Sequence, residues 1–195
     1  MRAALTSPVD TGLVRGPDPE SAVLVPIFEE GGEARLVLTR RASTLRFHRR
    51  EVAFPGGRVD PDESLAGAAL REAHEEVGLD PTAVELIGTL GSLTTVSSRA
   101  RITPFVGVMA ERPRLTANPD EVERVFDVSL SELVADGVHR SERWGVAPTE
   151  IEVQFFHVDG DIVWGATGRV LVDLLRRVLG LGPMAGHLAA GRPSP

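Results

Sequence analysis

Glu72, Glu75 and Glu76 stand at i, i+3 and i+4 in the run REAHEEVGL. On a helix that spacing places all three carboxylates within one arc of the surface. Like charges so placed repel by a few tenths of a kcal/mol per pair, so the face costs helix stability unless a cation offsets it. The cations that suit carboxylate oxygens are hard divalent ions, and magnesium commonly keeps part of its water while also holding substrate phosphate. A solvated acidic face is the other reading of three acids standing alone. Upstream, Arg40, Arg41, Arg46, Arg49 and Arg50 with His48 form a cationic run in a chain of net charge -7. Positive charge segregated beside acids suits a substrate with several phosphates, although a solvated basic loop has the same composition.

The elements that must position these residues are legible in part. Asp60 offers an N-cap, Pro61 a first helical residue, Glu63 the acid of a capping box and Gly78 a left-handed C-terminal residue, which predicts a helix between them. Its apolar stripe is Ala66, Ala69, Leu70, Ala73 and Val77, at helical period. A second helix is predicted over 168–179, with Val170, Leu171, Leu174, Leu175 and Val178 as its buried face, and a short one over 129–135. Runs rich in β-branched and aromatic residues predict strands at 22–28, 35–39, 84–90, 104–109, 125–128 and 152–158. Gly31 and Gly32 suit the turn of a hairpin between the first two. Many strands with helices inserted late and unevenly indicate an α+β, mixed-sheet fold.

The 195 residues fit one domain, and 42% hydrophobic with 25% charged residues is a soluble globular composition. Residues 1–20 and 181–195 read as loose tails around a domain at 21–180. With no cysteine, disulfides, thiolate nucleophiles and thiolate metal centres are excluded. The acidic balance argues against nucleic acid as a partner. No signal-like or membrane-spanning stretch is read, so the expected location is cytoplasmic with no membrane partner. His48, His74, His139 and His157 lack zinc spacing, and no nucleophile elbow occurs. Trp144 could stack on a base, and Trp164 is expected to pack against the final helix.

Residues 57–79, GRVDPDESLAGAALREAHEEVGL, carry Gly57, Glu63, Arg71, Glu72, Glu75, Glu76, Gly78 and Leu79 in the order G-x5-E-x7-R-E-U-x-E-E-x-G-U, where U is bulky and apolar. This resembles the box of the Nudix hydrolases, with Ala73 small where a bulkier apolar residue is usual. The resemblance implies an α/β/α sandwich and hydrolysis of a pyrophosphate bond in a nucleotide-containing substrate with Mg2+ or Mn2+. It implies Glu75 and Glu76 as principal metal ligands with the main-chain carbonyl of Gly56, and Glu72 as a further ligand or as general base. Arg71 would orient Glu72, where the residues alone allow an ordinary surface ion pair. Glu63 would brace loop and helix, where they allow a simple capping role. Nudix enzymes often recruit another carboxylate from a loop, and among Asp120, Glu121 and Glu123 the first choice is Glu121.

The segment LVLTRRASTLRFHRREVAFPGG is similar to the signature L-L-T-x-R-[SA]-x3-R-x3-G-x3-F-P-G-G that precedes the box in coenzyme A pyrophosphatases. Leu38, Thr39, Arg41, Ala42, Arg46, Phe54, Pro55, Gly56 and Gly57 match it. Arg50 stands where the signature has glycine, followed by Glu51 where glutamine is frequent. Arg41, Arg46, Arg50 and Phe54 are therefore the expected substrate-binding residues. Coenzyme A, split to 3',5'-ADP and 4'-phosphopantetheine, leads the candidates, with ADP-ribose, a dinucleotide or a nucleoside polyphosphate as alternatives. A nucleotide-sensing protein without turnover is the reading from another class, and homodimerisation is left open.

Overall fold

The computed structural model describes residues 2–6, 20–44, 49–95, 99–145 and 150–184. In chain order the elements are α1 (Arg2–Leu5), β1 (Glu20–Glu30), β2 (Glu33–Arg41), β3 (Val52–Ala53), β4 (Gly56–Arg58) and α2 (Leu65–Val77). A 3-10 turn at Pro81–Ala83 leads to β5 (Glu85–Thr89), β6 (Leu93–Thr94), β7 (Arg101–Val108), β8 (Val122–Ser129) and α3 (Leu130–Leu133). The chain closes with β9 (His139–Trp144), β10 (Ile151–Val158), β11 (Asp161–Trp164) and α4 (Gly165–Val178).

The larger sheet runs β3-β2-β1-β7-β5, with β4 beside β1, β6 beside β7 and β8 beside β2. β1 and β7 are parallel while β1 and β2 are antiparallel, so the sheet is mixed as expected. Alternation along β1 feeds two cores. Ala22, Leu24 and Phe28 meet Ala66, Ala69, Ala73 and Val77 of α2. Val25 and Ile27 face the other way, toward Leu171 and Leu174 of α4, Leu5 of α1, and Phe156 and Val163 of the smaller sheet β11-β10-β9. This is a helix–sheet–helix sandwich in which each fully buried Leu, Val or Phe contributes about 1.5–3 kcal/mol. Leu5 of α1, within the stretch read from the sequence as a tail, is part of that core.

Gly31 and Gly32 take φ of 65° and 82°, the paired positive angles that a two-residue hairpin turn needs. From that turn β1 and β2 pair only as far as Ile27↔Leu36. Beyond it they part, and residues 52–58 enter the gap: β3 pairs with β2 and β4 with β1. Pro26 marks the parting point. The main chain of Ile27 faces β7, since its carbonyl accepts from Met109 N–H at 2.8 Å. By strand alternation the nitrogen of Pro26 faces the gap, where its missing donor leaves no ladder bond unmade.

The α2 start differs from expectation. Ser64, not Asp60, is the N-cap, accepting from Gly67 N–H, and the helix begins at Leu65. Asp62 takes φ of 69°, a left-handed angle that a helix cannot run through. Glu63 instead folds back on the Asp60 N–H at 3.4 Å. Gly78 closes the helix at φ 67° as read.

Candidate active site

Two glycines bring the β4 backbone against the acids of α2. At Gly56 a Cβ would lie 2.4 Å from the Ala22 carbonyl oxygen and 2.5 Å from Val23 Cα, so only glycine lets β4 lie so close to β1. At Gly57 a Cβ would lie 2.5 Å from the Glu72 carboxylate. With that side chain absent, Glu72 packs directly over the strand. Gly56 N–H donates to Glu76 Oε2 at 3.1 Å.

Arg71 is the hub on the outer side. Its Nε and Nη2 grip both oxygens of Glu63 at 3.0 and 3.1 Å. Nη1 donates to Glu72 at 3.0 Å and to Glu75 at 2.8 Å, and Nη2 also reaches the Arg58 carbonyl at 3.2 Å. The planar fork thus ties the turn before α2, the β4 strand end and two box acids together. The side-chain hydrogen bonds that Arg71 donates to Glu63 raise the Arg71 pKa further, and the same bonds lower that of Glu63. Glu63 accepts from the Asp60 N–H and from Arg71, but with Ser64 as the N-cap it completes no capping box with Asp60.

Glu76 is only 2% exposed. Burial is the main cause that lifts its pKa to about 7, with Gly56 N–H and Arg41 pulling it back and Glu72 and Glu121 pushing it up. Arg41 Nη1 lies 3.3 Å from Glu76 Oε1. Glu72 is also raised by burial first, against Arg71, and is raised further by Glu75 and Glu121. The loop before β8 delivers Glu121 to this group. Thr116 and Asn118 N–H cap the Val77 and Glu76 carbonyls at 2.9 and 2.8 Å, satisfying the helix C-terminus, and Ala42 N–H binds the Glu121 carbonyl at 2.8 Å.

Buried Glu76, half-buried Glu72 and Glu121 share one electrostatic neighbourhood, with Glu75 at its exposed rim. An all-oxygen donor set under mutual repulsion fits a hard divalent cation. Among the described residues, no three carboxylate or imidazole groups are close enough together to enclose an ion. In this structure Arg71 Nη1 bridges Glu72 and Glu75, and Glu76 turns to Gly56 and Arg41.

Of the expected substrate-binding residues, Arg41 lies at the acids and Arg46 falls outside the described residues. Phe54 is a correction. It is 3% exposed, between β3 and β4, and its side chain belongs to the core on the α4 side, away from the acids of α2 that Gly57 faces. Arg50 takes φ of 58°, with its side chain 64% exposed and Nε 3.8 Å from Glu123. Trp164 does not seek α4 as expected. It stacks with Phe155 at 6.3 Å and meets Trp144 at 5.9 Å on the outer face of the smaller sheet.

Two residues take positioning roles that the sequence did not assign, Thr39 having been noted only as a signature match. The Thr39 hydroxyl, buried, donates to the Ala53 carbonyl at 3.1 Å and pins β3 ahead of the glycines. Asn118 holds the Glu121 loop, and the Asn-Pro-Asp run was its available turn signal.

A sequence profile of the NUDIX domain matches residues 18–148. The uncharacterized Nudix hydrolase NudL of Photorhabdus laumondii is 36% identical over 159 residues, covering 81% of this chain and 84% of that protein. Nudix hydrolase 22, chloroplastic, of Arabidopsis thaliana is 37% identical over 161 residues, which is 78% of this chain and 53% of the plant protein. Among solved structures, a MutT/nudix family protein from Enterococcus faecalis aligns over 86% of this chain and 63% of its own, with a TM-score of 0.55 and 17% identity. The RenU Nudix hydrolase of M. smegmatis aligns over 58% of this chain and 72% of its own, at 0.51 and 23%. The chain belongs to the Nudix family. Its activity is that of a hydrolase of pyrophosphate bonds, in a family that generally uses divalent metals such as Mg2+ or Mn2+.

Proposed function

We propose that the substrate is coenzyme A, cleaved to 3',5'-ADP and 4'-phosphopantetheine. The observation that carries this reading is the backbone at Arg50. Its φ of 58° is a left-handed angle that glycine adopts freely, which supports a loop path compatible with the glycine that the coenzyme A signature has at this position. Main-chain bonds close that loop, from Arg50 N–H to the Arg41 carbonyl at 3.1 Å and from Arg41 N–H to the Glu51 carbonyl at 3.0 Å. Residues 21–180 are taken as the catalytic unit.

Glu72, Glu75 and Glu76 with the Gly56 carbonyl would hold Mg2+ or Mn2+. The ion supplies charge neutralisation and Lewis acidity for the diphosphate. Water attacks phosphorus and the bridging P–O bond breaks. The proton released by the water passes to a carboxylate, Glu72 or Glu121, and at Glu72 burial first and then the charges of Glu75 and Glu121 favour taking it up. Arg71 keeps Glu72 in place throughout, and Arg41 and Arg46 offer charge to the substrate phosphates.

One observation favours a different diphosphate-linked nucleotide such as ADP-ribose: Arg50 adds an exposed cation where the signature has no side chain. A panel of coenzyme A, ADP-ribose, NADH and a dinucleoside polyphosphate, with Mg2+ or Mn2+ and products identified by mass, separates the readings. Preferential release of 3',5'-ADP is expected. A higher kcat/KM on another member would overturn the assignment.

A further inference from the structure

β9 is an edge. Its paired neighbour among the described residues is β10, and five of its six residues are exposed. Such an edge presents main-chain N–H and C=O groups to any strand that can match them, and proteins commonly blunt it with proline or like charge. β9 carries no proline, and its charges alternate as Arg140, Glu142 and Arg143. Arg140, Glu142 and Trp144 share one face at period two. On that face Arg140 pairs with Glu142 and lies 4.4 Å over the Phe155 ring, while Trp144 lies 5.8 Å from Phe155 and 5.9 Å from Trp164. Both tryptophans are exposed, which leaves an aromatic surface running up to the edge.

We propose that β9 pairs antiparallel with β9 of a second copy of this chain, about a two-fold axis through Ser141, so that two three-stranded sheets become one of six. Charge selects this register. With the axis at Ser141, Arg140 faces the partner's Glu142 and Glu142 faces the partner's Arg140, two cross-strand pairs of opposite sign. An axis at Arg140, Glu142 or Arg143 would set that residue against its own copy. Each places like charges directly opposite. Each surface meets itself, as a two-fold interface requires.

The test is molar mass by light scattering across a concentration series, with hydrolysis of the best substrate as the check that each variant is folded. The wild type is expected to reach the mass of two chains. Arg140→Glu places two carboxylates opposite each other twice per interface and should weaken association about tenfold or more. Combining it with Glu142→Arg restores opposite signs in the same register and should restore the dimer. A wild type that stays at the mass of one chain overturns the proposal. A dimer unaffected by Arg140→Glu, or not recovered in the double variant, overturns it equally.

Discussion

The β4–α2 junction and the loop just before it answer substitution by different rules. At the junction, residue types are dictated by contact: a Cβ at Gly57 would enter the Glu72 carboxylate, one at Gly56 would enter β1, and Arg71 has partners for its whole fork. In the preceding loop, Arg50 occupies a left-handed position that costs a non-glycine residue about 1–2 kcal/mol, and it survives because its side chain points to solvent and Glu123. On the proposed function, the chemistry lies where steric exclusion leaves one residue type, and the substrate approaches where a strained substitution can be absorbed.

The sharpest break is at the acids. Glu75→Gln and Glu76→Gln are each expected to lower turnover by about 10²–10⁴-fold with the fold intact, read by steady-state kinetics over a magnesium titration beside circular dichroism. Near-normal turnover of both at limiting magnesium would remove the metal assignment. Next comes Gly57→Ala, which pushes a methyl group into the Glu72 carboxylate. A displacement of about 1 Å is enough for roughly a 10²-fold loss in kcat. Unchanged kcat would mean that Glu72 can swing clear without cost.

Arg71→Lys keeps the charge and loses the fork on Glu63, so kcat should fall about tenfold or more while KM changes less. Wild-type kcat in that variant would leave Arg71 a surface role only. Glu76 adds a pH signature. Its ionised form is disfavoured in the folded state, so this stability is present at acidic pH and is lost as pH rises toward about 7. With chelator present the loss should amount to roughly 3 kcal/mol and should flatten in Glu76→Gln. Parallel stability curves for the two proteins would contradict it. The smallest effect is on the tolerant side of the comparison: Arg50→Gly should raise stability by up to about 1 kcal/mol and leave coenzyme A hydrolysis equal or improved. A large loss of that activity would make Arg50 a positive determinant of the substrate.

The acids, Arg71 and the C-terminal glycine of α2 were legible because each is fixed by spacing along one helix. The beginning of that helix was not, since the left-handed angle at Asp62 that moves the cap to Ser64 is a matter of conformation that an Asp-Pro-Asp-Glu run does not declare. β9 was missed for the opposite reason. HRSERW is exposed on nearly every residue, so it carries no alternation to read, and its extended form comes from pairing with β10. Phe54 matched a signature correctly in position, but a matched aromatic does not say which way the chain between two strands turns it.

Pro26 has a consequence for the order of assembly. A hairpin closes like a zipper from its turn, each rung added to the last, and this one begins at Gly31 and Gly32. The rung after Ile27 has no hydrogen to give, so closure halts with the two strands still apart. Residues 52–58 find an open berth in a sheet that would otherwise have sealed, and Gly56 reaches Glu76 through it. A proline thirty residues upstream in the sequence thus leaves open the slot that the Gly56 backbone occupies, and replacing it is expected to let the hairpin compete for that slot.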